Sequence, residues 1–412
     1  MSQTAVTDLP PLALDRLTDV AARLAANAEQ HDREGSFPFE GIEEVHAAGL
    51  LTATVGTQYG GPGAGIATVV EILRVLGAAD PSVALVTAMT LFTHAAQARS
   101  ESWPEQHYRQ LLEDSAGAPA LVNALRVEPE LGTPARGGLP ATTARRDPET
   151  GDWLLTGHKI FSTGAVGLRW LAVWARTDEE NPRVGSFLVR ADKPGQTPGL
   201  RIEPTWDHLG LRASRSDDAY FDSVRVPADA TSGLVDPGAT DPRRDPGLVV
   251  WNNLGLTALY LGVAQAAQAW LITFLNERTP SALGKPLATV PRIYSEVGQI
   301  EAQLVAAVDL VSALALRFDS GTDPEAARHA PAAKLIGTRA AIDAVQRAVA
   351  LIGNNALTRR NPLERHLRDV LCARVHTPQD DSILAAFGQA ALARYSAPSN
   401  PTSASNPTSK NG

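Results

Sequence analysis

The sequence predicts an α+β protein that is mostly helical, with an N-terminal helical domain, a small antiparallel β-barrel in the middle and a long C-terminal four-helix bundle. Three observations predict this architecture. Apolar residues recur at helical spacing early in the chain, short segments rich in Val, Trp and Phe follow, and long segments with little Pro or Gly fill the last third. With 412 residues, 44% of them hydrophobic, the chain can build two or three domains around sizeable cores.

The predicted N-terminal domain covers residues 8–119. Its first helix is indicated by apolar residues that fall on one face at 3.6-residue spacing, namely Leu14, Leu17, Val20, Ala21 and Leu24. Two further apolar segments are also helix-like, and Pro81 stands near the start of the second one. The Gly-rich stretch GTQYGGPGAG separates them from the first helices as a loop.

The predicted β domain covers residues 120–232. The segments DWLLTGHKIF, WLAVWART, VGSFLVRA and AYFDSVRV are short, β-branched or aromatic, and separated by Gly, Asp, Pro and Asn. This texture is typical of an antiparallel barrel or sandwich.

The predicted helical bundle covers residues 246–395. Three long helical segments span Trp251–Arg278, Tyr294–Phe318 and Pro324–Ile352, and a shorter pair follows them. Such helices bury their apolar stripes against one another. The tail, residues 396–412, repeats Ser-Asn-Pro-Thr-Ser and is polar and Pro-rich, so we expect it to be disordered.

Composition excludes several classes of function. The net charge of −8 disfavours nucleic acid and anionic membranes as partners. Cys372 is the only cysteine, so neither an internal disulfide nor a Cys-based zinc site can form, and we predict no metal site. The amino terminus lacks a signal-peptide pattern and no uncharged apolar run reaches about 18 residues, so we expect a soluble, cytoplasmic protein without a membrane span.

Five motifs in fixed order give the chain a resemblance to the acyl-CoA dehydrogenase superfamily. They are GLLTATVGTQYGGPGAG, VEPELGT, LTGHKIFSTGA, LGLRASRSDDAYFDSVRVP and NPLERHLRD. Each match is weak alone, but their order covers nearly the whole chain, from Leu14 to Leu392. The resemblance implies an acyl-CoA dehydrogenase-like fold and a flavin between the β domain and the bundle. A shared fold does not by itself give the reaction.

The resemblance places Phe161, Ser162 and Thr163 along the isoalloxazine ring of the flavin. A planar ring needs an apolar or aromatic face together with hydroxyl and backbone donors near its polar edge, and this segment offers both. The alternative interpretation is that the same residues form only a strand end that runs into a turn.

The dehydrogenases of this family use a glutamate to remove the α-proton of an acyl-CoA. Alignment from Arg368 and Asp369 puts Thr377 at that position, next to His376, and the second position used in the family falls on Asn252. Neither residue is a base at neutral pH, and a positioned base contributes about 10²–10⁴-fold to the rate. Asp380 or Asp381 would have to act as a relocated base.

The monooxygenase branch of the superfamily, which includes dibenzothiophene monooxygenases and nitrososynthases, lacks this glutamate. Its members oxygenate sulfur or nitrogen through a C4a-hydroperoxyflavin, and the sulfur oxygenases carry His at the position of His376. By the same resemblance, His94, Asn123 and Ser162 would line the pocket. Such groups can donate protons or hydrogen bonds in a water-poor site. For His94 the alternative is a structural histidine whose ring bonds within its helix.

The residues that would hold the distal half of FAD match the family less well. Arg278 precedes Leu283-Gly284 with two extra residues, and the Gly-rich motif is reduced to Gly353 followed by Asn354, Asn355 and Ala356. Glycine lets the backbone approach a phosphate closely, and side chains at these positions hinder that approach. The cofactor is therefore either FAD in a remodelled loop or reduced FMN.

Three hypotheses follow: a flavin-dependent monooxygenase acting on a small apolar substrate that contains sulfur or nitrogen, an acyl-CoA dehydrogenase with a relocated base, and a non-catalytic flavin-binding relative. No dinucleotide fingerprint for NAD(P)H is visible, so the monooxygenase needs a separate flavin reductase, whereas the dehydrogenase needs an electron-transfer flavoprotein. The resemblance to a family that completes the flavin site across subunits predicts a homotetramer, or at least a dimer. Trp251, Leu254 and Tyr260 either line an apolar pocket or belong to the core.

Overall fold

The computed structural model describes residues 8–131, 138–191, 196–243, 245, 247–323 and 325–394. Helices come first, a β-sheet follows and long helices come last, which confirms the predicted order and fold class. The predicted disordered tail, residues 396–412, lies outside the described residues.

Five helices form the N-terminal part: α1 (Leu17–Glu34), α2 (Phe39–Ala47), α3 (Ile66–Ala79), α4 (Pro81–Ser100) and α5 (Glu105–Gly117). The predicted apolar face of α1 is buried at Leu17, Val20 and Leu24. Leu14 is 45% exposed, contrary to the prediction, because it lies in a short 3-10 turn before α1. The start of α4 is fixed by Asp80, whose buried carboxylate accepts two backbone N–H groups of the first turn.

The middle part is one eight-stranded sheet. Its strands are β1 (Leu121–Leu125), β2 (Thr143–Arg146), β3 (Trp153–Lys159), β4 (Leu168–Thr177), β5 (Val184–Arg190), β6 (Leu200–Glu203), β7 (Asp218–Val226) and β8 (Thr231–Val235). Along the sheet the order is β6-β7-β3-β2-β4-β5-β8, and β1 pairs with β4. Contrary to the antiparallel prediction the sheet is mixed, because β1 and β2 both run parallel to β4.

Six helices form the C-terminal part: α6 (Leu248–Glu277), α7 (Pro291–Asp319), α8 (Glu325–Ile352), α9 (Asn354–Leu357), α10 (Leu363–Leu371) and α11 (Asp380–Ala393). The three long helices were predicted to within three residues at each end. Helix α10 packs against both α6 and α8, which completes the bundle. By length and composition α6 and α7 are apolar enough to cross a membrane, but both pack within this bundle.

Helix α4 lies between the sheet and the bundle and brings the three parts together. On its sheet side, the hydroxyl of Thr90 accepts a hydrogen bond from the backbone N–H of Val122 in β1, at 3.2 Å. On its bundle side, Phe92 lies against Gly255 of α6, where a Cβ atom would come within 2.7 Å of the Phe92 ring. Side chains of α4 can therefore reach a site built from both the sheet and the bundle.

Candidate active site

The segment Phe161–Gly164 follows β3 and is held by backbone hydrogen bonds. The N–H of Ser162 donates to the carbonyl of Asp217 at 3.2 Å, and the N–H of Gly164 donates to the carbonyl of Ser214 at 2.9 Å. Both acceptors belong to the chain that leads into β7. This segment, named here the 161–164 segment, is thus fixed by main-chain geometry.

A short chain of polar side chains crosses the 161–164 segment. The amide of Asn123 donates to the carbonyl of Thr163 at 3.1 Å. The hydroxyl of Ser216 donates to the hydroxyl of Thr163 at 3.1 Å and lies 2.9 Å from the hydroxyl of Ser214. The structure therefore brings together four predicted site residues: Phe161, Ser162, Thr163 and Asn123.

Phe161 is held in a strained conformation. Its backbone φ is +56°, in the left-handed region, and its side chain remains 58% exposed. The ring lies edge-on to Trp206, with 6.3 Å between ring centroids, and Trp206 stacks on His208 at 4.3 Å. Our sequence analysis missed Trp206, since an isolated Trp in a loop carries no pattern.

A buried ion pair anchors the strand that leads into the 161–164 segment. Lys159 Nζ lies 2.6 Å from Glu128 Oε1, and both side chains are almost fully buried. Burial lowers the pKa of Lys159 to about 8, although the carboxylate of Glu128 opposes this shift. The hydroxyl of Thr142 also donates to Glu128, at 2.6 Å. The pair joins the motifs VEPELGT and LTGHKIFSTGA and gives a structural reason for Glu128 in the first and Lys159 in the second.

Several buried polar atoms around the 161–164 segment have no hydrogen-bond partner among the described residues. They include the hydroxyl of Ser162, the hydroxyl of Thr87 and Nε2 of His94. A Cβ atom on Gly164 would lie 3.4 Å from Val86 of α4, so the 161–164 segment packs next to Thr87. An unpaired buried polar atom costs about 1–3 kcal/mol, so such a group is a candidate to bond a ligand.

His94 is fully buried in α4 and pairs with a tyrosine. Its Nδ1 lies 2.9 Å from the hydroxyl of Tyr108 in α5. Thr87, Thr90 and His94 are spaced along one face of α4, which is the face that contacts β1. Burial lowers the pKa of His94 to about 4, so the ring is neutral at physiological pH.

His376 lies between α10 and α11, half-buried, and also pairs with a tyrosine. Its Nε2 lies 2.6 Å from the hydroxyl of Tyr260, which is fully buried in α6. Desolvation, with a smaller contribution from the nearby Lys334 ammonium, lowers the pKa of His376 to about 4. Burial also raises the pKa of Tyr260 well above its usual value, so its hydroxyl keeps its proton.

The chain around His376, residues 375–379, is named here the His376 loop. Two side chains from the bundle bind its backbone. The amide of Asn252 donates to the carbonyl of Thr377 at 2.6 Å, and the ammonium of Lys334 donates to the carbonyl of Pro378 at 2.9 Å. The loop is thus fixed by long-range side-chain contacts.

A hydrogen bond ties α10, which precedes the His376 loop, to the loop between β6 and β7. The carboxylate of Asp369 in α10 accepts the N–H of Leu211 at 2.7 Å, and Leu211 comes just before the chain that holds the 161–164 segment. Burial raises the pKa of Asp369 to about 7. Within the described part of the chain, no hydrogen bond joins His94 or His376 directly to the 161–164 segment.

Arg278 and Gly353 lie at the other end of the bundle from the His376 loop. Arg278 is exposed and forms no ion pair with the described residues, and Gly353 has φ +58° with open space where a Cβ would be. Because α6 rises 1.5 Å per residue, Arg278 lies about 40 Å from Asn252 along the helix. Arg278 is thus far from the end of α6 that holds the His376 loop, and contact of Arg278 and Gly353 with a flavin stays a prediction.

Comparison with known proteins assigns the family. Models of the acyl-CoA dehydrogenase N-terminal, middle and C-terminal domains match residues 15–106, 127–224 and 254–380. YdbM of Bacillus subtilis is 30% identical over 373 residues, which are 90% of this chain and 94% of that protein. The chain belongs to the acyl-CoA dehydrogenase family. YdbM itself carries only a provisional assignment as an acyl-CoA dehydrogenase.

Other similar proteins are not described as acyl-CoA dehydrogenases. L-evernosamine nitrososynthase of a Micromonospora species is 28% identical over 368 residues, covering 87% of this chain and 84% of that protein. KijD3, solved with FMN and a dTDP-linked amino keto sugar, is 29% identical with a TM-score of 0.73, and the match covers 92% of this chain and 93% of KijD3. The acyl-CoA dehydrogenase family is one of flavin oxidoreductases, which confirms the prediction of a flavin cofactor.

The residues of the site fit a flavin ring. The exposed ring of Phe161 offers an aromatic surface, and Thr163, two residues later, carries a hydroxyl that accepts from Ser216. The unpaired hydroxyl of Ser162 is a buried donor that still needs an acceptor. Flavin carbonyl oxygens and ring nitrogens are such acceptors.

Proposed function

We propose that this protein is a flavin-dependent monooxygenase that uses reduced flavin and O₂ to oxygenate a small apolar substrate containing sulfur or nitrogen. The family assignment supports a flavin oxidoreductase in general. The choice of monooxygenase depends on the residues that surround the flavin and on the relatives that share the site.

The contact between Asn252 and Thr377 carries the proposal. These are the two positions at which dehydrogenases of the family place their base, and here the side chain of one bonds the carbonyl of the other at 2.6 Å. Both positions thus lie together, as the alignment requires, and neither carries a carboxylate. Asp380 is engaged in an ion pair with Arg339 at 2.8 Å, and Asp381 is exposed. Neither aspartate supports a relocated base.

The chain's own residues divide the work as follows. The 161–164 segment would hold the ring of a reduced flavin, which would supply the activation of oxygen when bound. His376 and the hydroxyl of Ser162 donate hydrogen bonds at the reacting edge, and Asn123 orients the backbone of Thr163. His94 contributes its unpaired Nε2 from α4. Such donors are worth most in a site that excludes water.

The relatives favour nitrogen over sulfur as the atom that is oxygenated. The Micromonospora relative is named for nitrososynthase activity, and KijD3 was solved with an amino sugar nucleotide. We therefore place primary amines first among substrates. A separate flavin reductase supplies the reduced flavin, and the enzyme works in the cytoplasm.

We also propose a homotetramer in which Arg278 and Gly353 of one copy complete the flavin site of another. The position of Arg278, about 40 Å along α6 from Asn252, and that of Gly353 at the end of α8 support this arrangement. An exposed guanidinium and an open glycine backbone suit a phosphate. A flavin bound in this way is FMN, or FAD if its adenine half crosses the interface.

The proposal is tested by mixing the purified protein with chemically reduced FMN, O₂ and a panel of amines and thioethers. We expect a product with one added oxygen atom, detected by mass spectrometry, and much less product with the His376→Ala variant. His329→Ala is the matched control, since His329 of α8 lies near Asp323 and forms no described hydrogen bond with the His376 loop. Rapid oxidation of an acyl-CoA with an artificial electron acceptor, and no oxygenated product, would contradict the proposal.

The second candidate is an acyl-CoA dehydrogenase, favoured by the 30% identity to YdbM. It predicts that the acyl-CoA activity disappears in an Asp380→Asn or Asp381→Asn variant. A protein that binds flavin but catalyses neither reaction would be the non-catalytic relative. Both outcomes come from the same panel.

A further inference from the structure

The hydrogen bond between Tyr260 and His376 determines which ring nitrogen carries the proton. A phenol is a good donor and a poor acceptor, whereas an unprotonated imidazole nitrogen accepts well. If Nε2–H of His376 donated instead, the buried hydroxyl of Tyr260 would need another acceptor, and no described residue provides one. Both buried groups are satisfied only if the hydroxyl of Tyr260 donates to Nε2 of His376. The ring proton of His376 is then on Nδ1.

The second ring nitrogen, Nδ1, has no hydrogen-bond partner among the described residues, and it is not one of the fully sealed, unpaired polar atoms. Asn252 and Lys334 fix the loop backbone at the carbonyls of Thr377 and Pro378. The ring itself is held by the bond between Tyr260 and Nε2, so Nδ1–H is the group left to bond a molecule that reaches the loop.

Charged and titratable groups around the pair are few and lie on identifiable elements. Lys334 of α8 faces His376 and Asp380 of α11 faces Lys334, while Asp369 of α10 and Cys372 just after it face Tyr260. Burial raises the pKa of Cys372 to about 12, so its thiol is neutral. These surroundings support a neutral imidazole and a neutral phenol over the physiological pH range.

We propose that Tyr260 is a positioning residue that fixes His376 as the Nδ1–H tautomer and directs this N–H toward the bound substrate and cofactor. The tautomer follows from the contacts of this chain alone. Its catalytic use rests on the monooxygenase function proposed above. Tyr260 itself touches neither the substrate nor the flavin in this proposal.

The tautomer is measurable by NMR in flavin-free protein labelled with ¹⁵N-histidine. We expect the unmodified protein to show Nδ1 protonated and Nε2 unprotonated for His376, with the resonance assigned by its absence in His376→Gln. In Tyr260→Phe we expect the two tautomers to mix. Tyr294→Phe is the matched control, since Tyr294 is 61% exposed on α7, and it should leave the His376 signals unchanged.

Two results would overturn the proposal. One is the finding that the Nε2–H tautomer of His376 is the main one in the unmodified protein. This measurement does not depend on whether the Tyr260→Phe variant folds. The other is an unchanged tautomer in a folded Tyr260→Phe protein. A third measurement separates positioning from packing: Tyr260→Phe should lower kcat by less than His376→Ala does and leave flavin affinity intact. If the NMR result is as expected but no substrate is oxygenated, the monooxygenase function fails while the tautomer assignment stands.

Discussion

Two histidine–tyrosine pairs occupy different parts of the molecule, and their difference separates a packed histidine from an available one. His94 bonds Tyr108 through Nδ1 inside the N-terminal helices, and His376 bonds Tyr260 through Nε2 beside the bundle. Burial lowers the pKa of both histidines to about 4. The two rings are thus equally neutral, and each has one nitrogen satisfied by a tyrosine hydroxyl.

The free nitrogen distinguishes the pairs. Nε2 of His94 is sealed from solvent and has no partner among the described residues, whereas Nδ1 of His376 also lacks such a partner but is not fully sealed. A sealed, unpaired nitrogen can form a hydrogen bond only with a ligand that enters the packed interior. A nitrogen that is not sealed can form one with a ligand at the surface of the loop. A lowered histidine pKa therefore does not identify a catalytic residue; the access of the second nitrogen is the better criterion.

The largest expected effect tests whether both histidines serve one flavin on the 161–164 segment. Ser162 is 1% exposed, and its hydroxyl has no partner. Ser162→Trp should fill the place of the ring and abolish flavin binding, measured by fluorescence titration with FMN and FAD. Circular dichroism checks that the chain still folds, because a Trp at this buried position must displace its neighbours, at a cost of about 1–3 kcal/mol.

Ser162→Ala is the matched control for this test. It removes only a hydroxyl that lacks a partner, so the free energy of unfolding should stay the same or rise slightly. Flavin affinity should fall, but less than in Ser162→Trp. Unchanged affinity in a folded Ser162→Trp protein would remove this segment from the flavin site, and the comparison of the two histidines would then lose its common ligand.

The next effect concerns the accessible histidine. His376→Ala should slow substrate oxygenation by about 10²-fold or more, the usual scale for a lost proton donor. Flavin affinity should change little, since the ring rests mainly on the 161–164 segment. O₂ consumption should continue with release of hydrogen peroxide, measured with an oxygen electrode and a peroxidase assay. Full oxygenation activity in this variant would mean that the accessible nitrogen has no catalytic use.

The sequence predicted the parts of this site that local patterns determine. The long helices follow from their apolar periodicity, and the structure confirms them. Phe161, Ser162 and Thr163 were predicted from a strand end with a recognisable motif, and their contact with a flavin stays a prediction. Tyr260 could not be assigned, because an apolar helix buries tyrosines for many reasons. Its contact with His376 joins residues 116 apart in the chain, and Lys334 reaches Pro378 across 44 residues. Such long-range side-chain pairs leave no periodic signal.

The mixed sheet is a second example of this limit. Strand texture predicted strands, but strand direction depends on which segments pair, and β1 pairs with β4 about 45 residues later in the chain. Arg278 and Gly353 remain predictions, since their partner would be another copy of the chain.

A third prediction addresses the sealed histidine. The pKa of His94 is about 4 in the folded chain and about 6.5 when unfolded, so the unfolded chain binds more protons between these values. The contribution of neutral His94 to the free energy of unfolding is complete above about pH 6.5. As the pH falls toward 4, the free energy of unfolding decreases by about 3 kcal/mol through this group. His94→Gln should remove this part of the acid sensitivity, measured by urea unfolding at several pH values. An identical pH dependence in the two proteins would show that His94 titrates normally and is not sealed.

The smallest effect tests the charge beside the accessible histidine. Desolvation is the main cause of the low pKa of His376, and the Lys334 ammonium adds to it. Lys334→Met keeps the length and burial of the side chain but removes its charge, so the pKa of His376 should rise from about 4 while staying below 6.5. The titration of ¹⁵N-labelled His376 measures this shift directly, and His94 in the same spectra is the internal control, because its low pKa has burial as its only cause.

The variant also loses the bond to the carbonyl of Pro378, so the tautomer ratio should be recorded in the same experiment. A pKa that rises fully to 6.5 would mean that the loop has opened to water, and an unchanged pKa would mean that Lys334 is already neutral. The first result would make the fixed His376 loop depend on Lys334 and its bond to the carbonyl of Pro378, and the second would make it depend on packing against Tyr260 and Asn252.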